Sequence, residues 1–173
     1  IVNPPSKKGK IRATVAQMLL DAVKQKGLKA LIARSADFYG KDSKNSVLKI
    51  LVMDNFRKGK KAYWQADADK IHSFTYTADA AKATALLGNT EDADGEVWHL
   101  PTSSEKLTGK DYINLTAEIM NVKPRYFVLS KTMIGLLDLF MPQVKELKEM
   151  QYQNDRDYFF DSSKFDKHFS FTP

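Results

Sequence analysis

The chain has 173 residues, 43% hydrophobic and 28% charged, which is enough for one hydrophobic core or for one lobe of a larger domain. It contains no cysteine, which excludes a disulfide framework and a thiolate metal site, and its apolar runs are far shorter than the roughly 20 residues that span a bilayer. The net charge is +6, with lysine-rich clusters at residues 7–10 and 57–61, but no stacking motif or recognition-helix pattern accompanies them. We therefore expect no nucleic-acid partner and no membrane partner.

Helices and strands alternate along the chain. Residues 11–26 place apolar side chains on one helical face, and Gly27 follows where a residue that ends a helix belongs. Residues 28–33 are nearly all apolar, which is typical of a strand covered on both faces. The later predicted helices cover residues 46–57, 79–87 and 108–121, and the later predicted strands cover 62–65, 71–77, 96–100 and 126–129. A further helix is predicted from Ser130 to about residue 153, with an interruption at Pro142. An extended segment at 158–160 and a terminal helix or turn at 163–169 end the chain. This order predicts an α/β fold with helices packed on a sheet.

The turn after the first strand is the most informative segment. Residues 33–40 read Ala-Arg-Ser-Ala-Asp-Phe-Tyr-Gly, and ligands of open α/β sheets bind where such strands end. The segment resembles the Arg-x-x-Asn-x-Tyr-Gly-Pro landmark of the extended short-chain dehydrogenase/reductases (SDRs), the nucleotide-sugar epimerase and dehydratase group. Residues 72–81, 95–101 and 161–164 are similar to three later landmarks of that family, in the same order. Together the four segments span nearly the whole chain.

The resemblance implies a Rossmann-type NAD(P)-binding sheet with a small α/β substrate-binding lobe. Residues 1–40 and about 72–101 would belong to the Rossmann side, and about 41–71 and 102–173 to the lobe. The chain starts at an Ile rather than a Met, and we expect the N-terminal dinucleotide-binding half to lie outside it. The parent protein would then use NAD or NADP on a small hydroxyl or carbonyl substrate.

Two departures from the family pattern concern the chemistry. No pair of glycines has the spacing of a dinucleotide-binding loop, so this chain has no cradle for a pyrophosphate. The positions of the family's catalytic Tyr-x-x-x-Lys align with Gly9 and Ala13, so the catalytic residues are not identified. Glycine cannot exchange a proton with a substrate hydroxyl as a phenol does.

The resemblance assigns the turn residues to the ligand pocket. Ser35 and Asp37 are the candidate cofactor-binding residues, and Phe38 and Tyr39 are candidate substrate-binding residues. The alternative is ordinary turn chemistry, with Asp37 as a turn former and the aromatic side chains as core plugs.

His72 and Tyr76 complete the set of candidate substrate-binding residues. They lie on one face of a predicted strand and could form a proton-transfer pair. His72 stands where many relatives place an Arg that grips a nucleotide diphosphate, and a neutral imidazole lacks the bidentate grip of a guanidinium. We therefore expect a substrate other than a nucleotide-diphosphate sugar. For Arg34, a buried ion pair with Asp79 is the favoured interpretation.

The remaining motifs indicate structure more than function. Trp98 and His99 suggest strand packing, Asp161 to Lys164 a helix start, and the three histidines have no metal-ligand spacing. The cysteine-free composition fits a reducing compartment, and we expect a cytoplasmic protein. Its open sheet edge and apolar face predict self-association or a homo-oligomer. Two alternatives stay open: a non-catalytic SDR-like module that senses dinucleotide or binds a protein partner, and a stand-alone basic binding domain.

Overall fold

The structure is a computed structural model that describes residues 4–130, 132–133 and 153–173. Helices and short strands alternate along these residues, which confirms the predicted α/β class. In chain order the elements are α1 (Lys7–Lys26), β1 (Ile32–Arg34), β2 (Asp37–Tyr39), a π-helical segment (Leu48–Met53) that continues into α2 (Asp54–Arg57), β3 (Ala62–Gln65), β4 (Phe74–Tyr76), α3 (Thr77–Gly88), a 3₁₀ turn (Glu91–Ala93), β5 (Val97–His99), α4 (Gly109–Ile119), β6 (Tyr126–Leu129) and α5 (Ser163–Phe169).

The strands of the described residues form three parallel pairs rather than one continuous sheet. β1 pairs with β5, β2 with β4, and β3 with β6. Parallel strands need a long crossover connection, and helices lie on the connections of all three pairs. Each pair therefore joins segments that are far apart in the chain.

The first strand differs from its prediction in both length and burial. Only Ile32–Arg34 is extended and paired, and Ala33 and Arg34 are exposed. Within the described residues β1 has a single neighbour, β5, so its other edge is unpaired. The buried ion pair predicted for Arg34 is wrong, because Arg34 is exposed and the Asp79 carboxylate lies 4.0 Å from the ammonium of Lys82.

Two hydrophobic cores hold the elements together. The first packs the π-helical segment and α2 against β3, β4 and α4, with Trp64 and Ile113 at its centre. The second packs α3 against β5 and α5 around Trp98 and Phe165, so Trp98 is a packing residue as expected. The rings of Trp98 and Phe165 meet edge to face, 6.3 Å apart.

Local capping explains where the helices begin and end. α1 starts four residues earlier than predicted, because the Ser6 hydroxyl accepts a hydrogen bond from the Gly9 amide at 3.0 Å. It ends at Gly27, which takes the left-handed conformation expected there. Thr108 caps α4 as predicted, in a capping box with Asp111.

The other predicted elements mostly agree with the structure. β3, β6 and α5 have the predicted bounds, whereas the strand predicted over residues 71–77 is only Phe74–Tyr76. The predicted helix that starts at Ser130 lies almost entirely outside the described residues. No helix in the described ranges combines the length and the apolar character that a membrane crossing requires.

Candidate functional site

The β2–β4 pair brings most of the predicted site residues together. Its parallel register places Asp37 beside Phe74, Phe38 beside Thr75 and Tyr39 beside Tyr76. The segment around Asp37, predicted as a turn, is therefore a strand. Its pairing partner lies 37 residues further along the chain, so local sequence patterns contain no signal for it.

A buried histidine and a half-exposed carboxylate form the polar centre of this site. The His72 ring is only 4% exposed and donates from Nε2 to Asp37 Oδ2 at 2.9 Å. Around the imidazole lie the rings of Phe74 and Tyr158, at 4.9 and 5.1 Å between centroids. The hydrogen bond of this imidazole goes to Asp37, whereas the predicted proton-transfer partner was Tyr76.

Tyr76 packs against Tyr39 instead. Their ring centroids are 5.3 Å apart, and each residue is 40% exposed. Burial raises the pKa of Tyr39, and the nearby Asp79 carboxylate and Tyr76 raise it further. A phenol with a raised pKa stays protonated at neutral pH, so Tyr39 can donate a hydrogen bond.

Tyr112 is a site neighbour that the sequence interpretation missed. It lies on α4, with its ring 4.9 Å from that of Phe74, and burial raises its pKa to about 12. Tyr158, beside His72, was also missed. The reason is the same for both residues: they reach the site through long-range packing, and no spacing motif in the chain links them to residues 33–40.

A chain of buried hydroxyl groups supports the start of β2. The Ala36 amide donates to Thr75 Oγ1 at 3.0 Å, and that hydroxyl lies 2.7 Å from Thr102 Oγ1. The Thr102 amide donates in turn to Ser162 Oγ at 3.1 Å. The segment from Asp161 to Lys164 is a helix start as expected, but the Ser162 hydroxyl bonds to Asp166 Oδ2 and to the Thr102 carbonyl rather than to a backbone amide of α5. The C-terminal segment thereby positions the strand that carries Asp37.

The two cofactor candidates lie at different depths. Ser35 is half-buried in the two-residue link between β1 and β2, at the carboxyl end of β1. Just before it, the Arg34 carbonyl accepts a hydrogen bond from the Leu100 amide at 2.7 Å. Asp37 follows the link, with 47% of its side chain exposed. Phe38 is exposed beside it.

The positions aligned with the catalytic Tyr and Lys lie in the first two turns of α1. A Cβ on Gly9 would stand 2.7 Å from the Pro4 Cβ, so a tyrosine fits there only if Pro4 moves. Ala13 is half-buried one turn later. In the part of the chain that the structure describes, no three His, Cys, Asp or Glu side chains cluster as metal ligands would.

Comparison with known proteins identifies the fold by structure and not by sequence. The chain matches no protein-family model and no curated protein. Its structure is similar to dTDP-glucose 4,6-dehydratase from Bacillus anthracis, solved in complex with NAD, with a TM-score of 0.72, 16% identity, and coverage of 99% of this chain and 48% of that one. DesIV, the dTDP-glucose 4,6-dehydratase from Streptomyces venezuelae, gives 0.66 and 15% identity over 93% of this chain and 44% of its own. UDP-N-acetylglucosamine 4-epimerase from Bacillus cereus gives 0.59 and 20% identity over 88% and 44%.

The chain thus spans about half the length of the solved structures that it matches. At these identities the likeness establishes the fold, and the expected resemblance to the extended SDRs is confirmed at that level. The described chain has the Rossmann-type α/β fold of these dehydratase and epimerase structures, over about half of their length.

Proposed function

We propose that this chain is part of an NAD(P)-dependent epimerase/dehydratase or oxidoreductase that acts on a small, sugar-like hydroxyl or carbonyl substrate. The observation that carries the proposal is the structural match over 99% of the chain to a dehydratase solved with NAD. The gathering of polar and aromatic side chains along β2 and β4 gives such an enzyme a substrate-facing surface.

The side chains of this surface suit a polyhydroxylated molecule. Asp37 offers a half-exposed carboxylate, which accepts hydrogen bonds. Tyr39 keeps its phenolic proton at neutral pH and can donate one, because its pKa is raised. A sugar hydroxyl both donates and accepts, so it can bond to both groups, while the C–H groups of the sugar ring pack against an exposed aromatic side chain.

The expectation that the substrate is not a nucleotide-diphosphate sugar rests on His72 alone. The named structural neighbours are enzymes of dTDP- and UDP-linked sugars, and they do not support that exclusion. His72 is buried, and its Nε2 is occupied by Asp37. That nitrogen cannot donate to a phosphate at the same time. A binding measurement therefore tests whether the substrate carries a nucleotide diphosphate.

The cofactor would be NAD or NADP, which supplies the hydride acceptor and donor. Of this chain's residues, Ser35 and Asp37 would be the hydrogen-bond partners of the cofactor. They lie at and just after the carboxyl end of β1, and they would bond to the polar groups of its nicotinamide nucleoside. The eight glycines include no phosphate-binding loop, so the pyrophosphate would be held by residues outside this chain.

A non-catalytic relative that senses dinucleotide or binds a protein partner is the second candidate. The observation that favours it is Gly9, which packs against Pro4 at the position of the family's catalytic tyrosine. Tyr39 and Tyr112 have raised pKa values, so both phenols keep their protons at neutral pH.

Calorimetric titration of NAD⁺ and NADP⁺ tests the proposal, using the product of the complete reading frame beside this chain. We expect the complete product to bind one of them and to turn over a sugar substrate, and Asp37→Asn to lower that turnover more than the matched loop variant Asp42→Asn. Dinucleotide binding without turnover of any sugar or sugar nucleotide would favour the sensing module. Absence of dinucleotide binding would refute the enzyme and the dinucleotide sensor, and would favour the module that binds a protein partner. Parallel titrations of UDP-glucose and of free glucose decide the diphosphate question.

A further inference from the structure

The β3–β6 pair presents an unusual outer face. Along both strands, side chains alternate between the first hydrophobic core and solvent: Ala62 and Trp64 are buried, whereas Tyr63 is 37% exposed. On the neighbouring strand Phe127 is 42% exposed, and the parallel register places it directly beside Tyr63. Adjacent strands lie about 4.8 Å apart, so two aromatic side chains stand next to each other on a solvent-facing sheet surface.

Cations lie next to this aromatic pair in the chain. Lys61 and Arg125 are exposed and immediately precede β3 and β6, two residues before Tyr63 and Phe127. The Arg125 guanidinium donates to the Gly59 carbonyl at 3.5 Å, which holds it near the loop that leads into β3. The loops that lead into the two strands are joined by a hydrogen bond from the Ala62 amide to the Arg125 carbonyl at 2.9 Å. We call Lys61, Tyr63, Arg125 and Phe127 the aromatic-basic face.

Three more lysines stand at the amino edge of this face, namely Lys58, Lys60 and Lys123, all exposed. None of the five cations makes an ion pair with another described residue. The nearby Asp54 carboxylate on α2 is already engaged by Lys49 at 2.7 Å and by Arg57 at 3.2 Å. Within the described residues, five positive charges are therefore close together at this edge and have no ion-pair partner.

We propose that the aromatic-basic face binds single-stranded nucleic acid. A single strand combines flat bases with phosphates, and this face combines two neighbouring aromatic rings with exposed cations at the start of their strands. Bases stack on exposed aromatic rings with little sequence preference, and lysine and arginine side chains neutralise the backbone. A duplex hides its base faces, so it can use the cations but not the rings. The site is separate from the β2–β4 surface and does not depend on the proposed enzyme activity.

Fluorescence anisotropy with a labelled oligouridylate of about 12 nucleotides tests the proposal at about 50 mM salt, and an oligothymidylate of the same length distinguishes RNA from DNA. We expect saturable binding that weakens as salt rises. Tyr63→Ala and Phe127→Ala should each weaken it roughly 5- to 10-fold. The matched control is Phe159→Ala, which removes a ring that is 41% exposed elsewhere and should leave binding unchanged.

A second pair of variants separates this face from general attraction to a basic protein. Lys60→Glu with Lys61→Glu should abolish most of the binding and flatten its salt dependence. Lys41→Glu with Lys44→Glu makes the same change in net charge in another exposed loop and should have little effect. Circular dichroism and urea midpoints check that every variant is folded.

Four outcomes would overturn the proposal. They are no binding at low salt, equal loss from both charge-reversed pairs, no loss from either aromatic variant, and duplex binding as tight as single-strand binding. Binding of the chain to phosphatidylserine vesicles, with no binding to either oligonucleotide, would assign the face to a membrane surface instead.

Discussion

The Asp37–His72 hydrogen bond connects the stability of the candidate site with its chemistry. The imidazole is buried among aromatic rings, and the carboxylate that accepts its hydrogen bond is half-exposed. A buried N–H that loses its acceptor costs more than the hydrogen bond contributed, because the group stays desolvated. The hydrogen bond therefore couples the orientation of Asp37 to the packing of His72.

Asp37→Ala should destabilise the protein by about 1–3 kcal/mol, since the His72 Nε2–H would be left buried without an acceptor. Urea unfolding measures the change. Asp42→Ala removes the same atoms from an exposed loop and should be neutral within about 0.5 kcal/mol. Equal effects of the two substitutions would mean that the hydrogen bond does not hold His72 in place.

Tyr112 should give the protein a distinct loss of stability in alkali. The phenol has a pKa of about 12 in the folded protein against 10.0 in the unfolded chain, so the folded state holds the proton more tightly. The raised pKa therefore contributes to the free energy of unfolding, by ~1 kcal/mol after allowance for the partly exposed ring. This contribution is complete below pH 10 and is lost as pH rises through about 12. Urea midpoints measured from pH 8 upward should fall less steeply for Tyr112→Phe than for wild type. Tyr63→Phe, a change on an exposed ring, should keep the wild-type slope.

Among the elements, the junction of β2 with α3 shows how closely the candidate site is packed. Gly40 ends β2 with a φ of +148°, and an added Cβ would overlap the hydroxyl of Thr77 at the start of α3. This close approach keeps Tyr39 beside Tyr76. A glycine is required here both for its backbone conformation and for the missing side chain.

Gly40→Ala should therefore cost roughly 1–3 kcal/mol and loosen the Tyr39–Tyr76 contact. Thermal unfolding and the near-ultraviolet circular dichroism of the tyrosines measure the two effects. Gly88→Ala is the matched control, because that glycine lies at the end of α3 with an ordinary φ and no atom within 4 Å of an added Cβ. A Gly40→Ala protein as stable as the Gly88→Ala protein would contradict the close packing.

Element predictions succeeded where local signals were complete. The sequence correctly predicted the Thr108–Asp111 cap, the end of α1 at Gly27, and the bounds of β3 and β6. β2 was missed, because a run of only three residues, which follows another strand after two residues, becomes a strand only through pairing with β4. Pairing between distant segments leaves no local periodicity to read.

At the scale of the whole molecule, α1 stands out among the described helices by its exposure. None of its residues is buried, and Ile11, Val15 and Met18 are 55%, 59% and 66% exposed. These side chains form the apolar stripe that predicted an amphipathic helix. The stripe is present as expected, but within the described residues no element covers it.

We expect this surface to drive self-association of the chain. Multi-angle light scattering should report a mass above that of the monomer, rising with concentration, and Val15→Lys combined with Met18→Glu should return it to the monomer. Gln17→Glu changes an exposed polar position of the same helix and should leave the mass unchanged. A wild-type chain that stays monomeric at high concentration would refute this expectation.

The proposed nucleic-acid ligand departs from an expectation about partners, and the whole molecule shows why. The sequence shows lysine clusters without a stacking motif, and from that we expected no nucleic-acid ligand. The register of β3 and β6 places Tyr63 beside Phe127, although 63 residues separate them in the chain. A stacking surface made of two distant single aromatics has no signature in either segment.

From the sequence we could predict the α/β class, several helix caps, the bounds of several elements and the likeness to the extended SDR fold. These properties depend on short-range periodicity, on the side chains next to a helix end and on motifs within a few residues. The structure was needed to show that His72 bonds to Asp37, that Tyr112 and Tyr158 lie at the candidate site, and that Tyr63 and Phe127 are neighbours on the aromatic-basic face. Each of these depends on which distant segments pack together, and that choice is made by the hydrophobic cores and by strand pairing of the whole chain.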